Sequence, residues 1–160
     1  MLNRMFRIKI KELGVYEERT YRNQIHSDKM RTSFRVVVKE TDLFIRAGKD
    51  LKDVARESVL RHRGYLENYI RQHAEFAETL IPWIVSGPSP EIVREMAYAG
   101  QLAGVGPMAA VAGALAEYVG QDLLKHTCVV IVENGGDLFI RSREPITIGI
   151  FANQSPLSLH

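Results

Sequence analysis

"VVIVENGGDLFIRS", residues 129–142, comes close to repeating "VVVKETDLFIRA", residues 36–47, and the pentamer DLFIR stands at both 42–46 and 137–141. Val36-Val37-Val38 is too β-branched to prefer helix. The runs 34–38 and 43–46 therefore predict one hairpin. A second is predicted over Val129–Glu133 and Leu138–Arg141, followed by a strand at Ile146–Phe151. The turns differ. The first carries Lys39-Glu40-Thr41, whereas the second carries Glu133-Asn134-Gly135-Gly136, whose glycines supply positive-φ positions. Internal duplication of an α+β unit and chance similarity of two amphipathic strands both account for the echo.

Helical signals fill the space between the hairpins. Asp50 offers an N-cap, and Leu51, Val54, Ala55, Val59, Tyr65, Leu66, Tyr69 and Ile70 fall near one face of the helix that follows. The basic residues of Arg56–Arg71 read as its solvated side. After a loop around "IPWIVSGPSP", Ser89-Pro90-Glu91 predicts a helix start and residues to about Leu102 continue it. Gly106-Pro107 opens another helix, with Gly120 as its C′ residue. Ala109, Ala110, Ala112, Gly113, Ala114 and Ala116 leave this helix little side chain, so another backbone or a flat ligand can approach it closely. A short β-rich run also stands at 6–10.

At 160 residues with 46% apolar and 25% charged, the chain reads as one domain, 1–160. The fold class expected is α+β, with antiparallel hairpins packed against helices. A net charge of +2 gives no footing for a nucleic-acid partner. Residues 96–116 carry no charge, but they are rich in Ala and Gly and broken by Gly104, Gly106 and Pro107, which predicts two packed helices rather than a membrane span. The N-terminus has no signal-peptide core, and a cytoplasmic protein is expected. Cys128, the single cysteine, reads as a small buried hydrophobe.

No metal-ligand spacing occurs among the five histidines, and His62 and His73 are too far apart on one helix to share an ion. Phosphate-loop and nucleophile-elbow motifs are missing. Two segments remain as candidates. In "GVGPMAAVAG", 104–113, backbone N–H groups at a helix start attract an anion, or the small residues serve packing alone. In "ENGGD", 133–137, two acids flank glycines where a phosphate, a sugar or Mg²⁺ can sit, or the segment is a hairpin turn and nothing more. The first hairpin's turn lacks both glycines, so chemistry is expected of the second copy only.

"RTYR" (19–22), "ETDLFIRA" (40–47), "VGPMAAVAGALAE" (105–117), "VIVENGGDLFI" (130–140) and "GIFANQSPLS" (149–158) together resemble an uncharacterised protein family related to ApbE, the FAD:protein FMN transferases. The resemblance runs along essentially the whole chain. It implies an ApbE-like α+β fold, FAD or FMN as ligand with Mg²⁺, and FMN transfer to a protein threonine. Of the transferase's Lys-Gly-x-Ala-x-Asp helix start, Ala109 matches, while the lysine and aspartate have no counterpart. Of its Asn-x-Gly-Gly-Asp loop, Gly135, Gly136 and Asp137 match, and Glu133 stands in place of the asparagine. The transferases continue past "SPLS" into a segment that supplies much of the metal site, so a C-terminally shortened domain is expected.

The ligand-binding set expected is Gly104, Gly106, Pro107, Met108 and Ala109, with backbone groups toward phosphate, and Glu133, Asn134, Gly135, Gly136 and Asp137, with a carboxylate toward ribose or Mg²⁺. No catalytic residue and no protein metal ligand set is assigned. Two other readings stay open: an accessory role in sulfur assimilation towards homocysteine, with Cys128 as the residue to watch, and a non-catalytic remnant that self-assembles. A homo-oligomer is expected from the exposed edge of a strand ending at Phe151.

Overall fold

The computed structural model describes residues 32–146 and 148. The expected strand at 6–10 and all of Ile146–Phe151 but residues 146 and 148 lie outside them, and those two residues belong to no regular element. Strand β1 (Thr32–Val38) and β2 (Thr41–Ala47) form the first hairpin. Helices α1 (Lys52–Gln72), α2 (Glu75–Glu78) and α3 (Glu91–Ala103) follow. A 3-10 turn at Pro107–Ala110 then leads into α4 (Val111–Leu123). Strands β3 (Val130–Asn134) and β4 (Asp137–Arg141) form the second hairpin. The four strands make one antiparallel sheet in the order β1-β2-β3-β4, so β2 and β3 join the hairpins across all the helices. The fold is α+β, as expected.

One row across the sheet, Phe34–Ile45–Val132–Phe139, faces the helices; the next, Arg35–Phe44–Glu133–Leu138, faces away. The two copies of DLFIR therefore sit out of phase. In β2 the pentamer turns Leu43 and Ile45 to the core, whereas in β4 it turns Phe139 there. One residue is responsible. Each turn has two residues, but Thr41 pairs with Val38 ahead of Asp42, while Asp137 itself pairs with Asn134. With a side-chain period of two, that single step reverses the faces.

The inward sheet face packs on α1 and α4 through Leu43, Ile45, Ala55, Val59, Val119 and Leu123. A second apolar cluster joins the end of α1 to α2, α3 and the start of α4 around Phe76, Ile92 and Met96. Glu91–Ala103 and Pro107–Leu123 are bent by 108°, the two packed helices expected of this uncharged stretch. Among the described residues no single helix is long and apolar enough to cross a membrane.

Five local expectations need correction. The N-cap residue of α1 is Leu51, not Asp50, whose Oδ1 accepts from the Lys52 N–H at 2.9 Å from one residue further out. The helix start at 89–91 does not use the Ser89 hydroxyl. Pro90, extended at ψ 147°, is itself the N-cap residue, and the Ser89 Oγ is buried without a hydrogen bond. Gly120 is not a C′ residue, because α4 runs on to Leu123 and Gly120 is buried within it. Tyr65 lies about half exposed, off the buried phase of α1. Cys128 is exposed: Thr127 Oγ1 bonds to the backbone of Val129 and Val129 turns inward, so the residue between them points out.

Candidate functional site

The turn Glu133–Asp137 lies against the first turn of α4. Asn134 Nδ2 donates to the Ala112 carbonyl at 3.0 Å. A Cβ on Gly113 would lie 3.6 Å from Asp137 Oδ1, an ordinary contact distance, so the Asp137 carboxylate stands directly beside the helix. Gly135 and Gly136 hold φ of 64° and 108°, the left-handed values that the turn demands and glycine meets without strain. Gly136 N–H donates to Glu133 Oε1 at 3.0 Å, and Glu133 is buried. Glu133 is thus engaged inside its own turn, and Asp137 is its exposed carboxylate.

The other candidate segment is divided. Gly104, at φ 68°, ends α3 in the left-handed conformation, where the Val105 N–H reaches back to the Gly100 carbonyl at 2.9 Å. Gly106 is buried against the chain at Thr79. A Cβ there would lie 2.9 Å from the Thr79 carbonyl carbon and closer still to its oxygen. Pro107 is buried and Met108 half-buried, and the Ala109 N–H is taken by the Gly106 carbonyl at 3.1 Å. Gly104 and Gly106 therefore serve helix termination and close packing. Ala109, two residues before α4, is exposed. The accessible candidates are Gly104, Ala109, Gly135, Gly136 and Asp137.

Two polar clusters escaped the sequence reading. In the first, Arg63 is buried and ties α1 to the turn of the first hairpin. Its Nη1 donates to Thr41 Oγ1 at 2.7 Å, and its Nη2 to Glu40 Oε2 at 2.7 Å and Glu67 Oε1 at 2.9 Å. Lys39, at φ 52°, donates to Glu67 Oε2 at 2.7 Å. Lys39, Glu40 and Thr41 are thus all bound to α1. Arg63 also corrects the expectation that the basic residues of this helix are its solvated side. In the second cluster, buried Asp122 Oδ2 accepts from Ser58 Oγ at 2.6 Å, His62 Nε2 at 2.9 Å and Arg61 Nη2, while Oδ1 accepts from Lys125 Nζ at 2.7 Å. Burial alone would raise this carboxyl, but Lys125, Ser58, His62 and Arg61 outweigh it and hold Asp122 well below the ordinary carboxylate range. The signal was the phase: Ser58, His62 and Arg63 fall on the same stripe of α1 as Ala55, Val59, Leu66 and Tyr69.

Among known proteins, the family model described as "AbpE bacteria" matches residues 22–160. The chain belongs to this family. The chain is also similar to the UPF0280 protein of Methanocaldococcus jannaschii, 39% identical over 125 residues, covering 78% of this chain and 50% of the relative. The UPF0280 protein of Methanococcus aeolicus is 36% identical over 126 residues, covering 78% and 51%. That of Methanopyrus kandleri is 38% identical over 128 residues, covering 79% and 52%. The chain thus spans about half the length of the curated UPF0280 relatives it matches. UPF0280 is an uncharacterised family with no assigned activity, so membership brings a shared fold without a reaction.

Proposed function

We propose that this chain binds a flavin, or another nucleotide-like phosphate compound, where the second hairpin turn meets the start of α4. The observation that carries the reading is the bond from Asn134 to Ala112, because it anchors the turn beside the helix that follows "GVGPMAA". The Gly135-Gly136-Asp137 match to the ApbE loop, and the match of Ala109, support the ligand class. In this reading Asp137 holds the ribose or the metal, and Gly135 and Gly136 let the ligand approach the backbone.

Among the described residues no group of three His, Cys, Asp or Glu could hold a metal ion. A Mg²⁺ would rest on Asp137 and the ligand's own phosphates, a common mode for an ion that keeps most of its waters. Bound there, it would offset phosphate charge. The chain's own part is to bind and orient. No residue is given a catalytic role, and FMN transfer to a protein threonine stays an extension of this reading.

A titration of the purified chain with FAD, with and without Mg²⁺, read by flavin fluorescence, tests it. The expected result is saturable binding that strengthens with Mg²⁺ and weakens at least about tenfold in Asp137→Asn, with an unchanged thermal melt. Absence of saturable binding of FAD and of FMN by the native chain would overturn the reading.

A further inference from the structure

The connection between α2 and α3 displays an apolar face together with α3 itself. Leu80 and Ile84 are each 81% exposed, Leu102 72%, Ile81 71% and Tyr98 59%. These residues are gathered rather than scattered. Tyr98 and Leu102 stand one turn apart on α3, and Val105 follows just beyond its left-handed end at Gly104. Between them Gln101 Nε2 donates to the Trp83 carbonyl at 2.9 Å, which fixes the neighbour of Ile84 against the helix. Gly106 packs on Thr79 and Leu80 from the other side. The connection is also pinned from within, because the Trp83 indole N–H reaches the Tyr69 hydroxyl at 3.3 Å and its ring meets Phe76 edge-on. The outward residues are held outward by inward anchors. No charge occurs from 79 to 90 or from 96 to 116. A fixed, charge-free, contiguous apolar face marks an interface, whereas singly exposed apolar residues do not.

We propose that this face seats one occupant, the part of the UPF0280 fold that lies outside the stretch shared with the relatives, a folded polypeptide of apolar contact surface. The relatives are about twice as long as the stretch they have in common with this chain, so a comparable length of folded polypeptide adjoins the common half and has this face available to it. A charge-depleted apolar surface is the character of permanently buried interfaces. A lipid surface would call for a basic rim, whereas the flanks here are Glu78, Glu95 and Arg94, net acidic, with Arg94 tied to the Ser89 carbonyl. A second copy of the chain would set the same net-acidic rim against itself.

Maleimide labelling tests the proposal. In a Cys128→Ser background, Ile84→Cys and Leu102→Cys report on the face, and Arg56→Cys, exposed on α1, is the control. The same three positions are substituted in the full-length Methanocaldococcus jannaschii relative; a 125-residue match in a chain of 160 includes all three wherever it starts. Modified sites are located by peptide mass spectrometry. The expected result is fast labelling of all three in this chain, and at least tenfold slower labelling at the positions of Ile84 and Leu102 alone in the relative. Equal rates in the two proteins would overturn the proposal. So would protection in this chain that grows with its own concentration, the mark of a second copy, or protection that appears on adding anionic vesicles.

Discussion

Gly120 lies directly against Phe139: a Cβ on Gly120 would collide with the ring, 2.9 Å from Cγ and closer still to Cδ1 and Cε1. This contact brings β4 down onto α4 and explains a glycine well inside a helix. It also settles what the small residues near the helix's end are for. They admit a side chain of the protein's own sheet.

Gly120→Ala should therefore destabilise the fold, although alanine is the better helix former. The helix gains about 0.5–1 kcal/mol and overpacking costs about 1–3 kcal/mol, for a net loss of about 1–2 kcal/mol. In a Phe139→Ala background the obstruction is gone and the same change should stabilise. Urea unfolding of the four proteins of the cycle gives both signs; additive effects would contradict the contact.

Asp122 is the second test. Asp122→Ala leaves Ser58, His62, Arg61 and Lys125 without their shared acceptor and should cost about 3 kcal/mol. A pH dependence follows. Burial opposes ionisation of Asp122, yet its donors prevail, and at Glu67 burial is likewise outweighed by Lys39 and Arg63. Both folded carboxyls thus titrate below their unfolded values. Their stabilisation is complete above the unfolded range near about pH 4 and is lost as pH falls through it toward the folded values. Thermal melts from neutral to strongly acid pH should show this loss, reduced in Asp122→Ala. An equally steep loss in that variant would assign the acid sensitivity elsewhere.

Tyr118 should show the opposite limb. Burial, then Glu91, Glu95 and Glu117, push its phenol up to about 12 against the opposition of Arg94. A raised folded value means stability that is full below the unfolded value of about 10 and lost as pH rises from there. Tyrosinate absorbance should reveal a late-ionising phenol that disappears in Tyr118→Phe. A late step that persists in the variant would belong to another of the six tyrosines.

The hairpins were legible because branched and turn residues agree in β1–β2 and β3–β4; burial alternates in β1 and β2, whereas β3 is buried throughout. The three long helices were legible nearly in extent, whereas the single turn Glu75–Glu78 carries no start signal of its own and went unread. Ser89, Gly120 and Cys128 were misread for one shared reason. Each carries a strong local signal, but Pro90, Phe139 and Val129 decide its use through neighbours that patterning does not identify. Arg63 and Asp122 show the same limit from the other side, since a buried charge becomes intelligible only when its partner, distant in sequence, is known. At the candidate site the sequence picked out the turn at 133–137, but it gave no means of telling that Glu133 is engaged there while Asp137 is exposed.

The sheet order carries a consequence for how the chain reaches its fold. The two hairpins close locally, and Arg63 and Glu67 fasten the first to the helix beside it, so residues 32–72 form one contiguous cooperative unit. Leu43 meets Asn134 only after a loop of about ninety residues has closed, and the entropy of that closure must be met before the central pairing can repay it. Contact order therefore leads one to expect the two hairpins before the seam between β2 and β3, and mutations at that seam, such as Ile45→Ala, to slow refolding more than mutations within either hairpin.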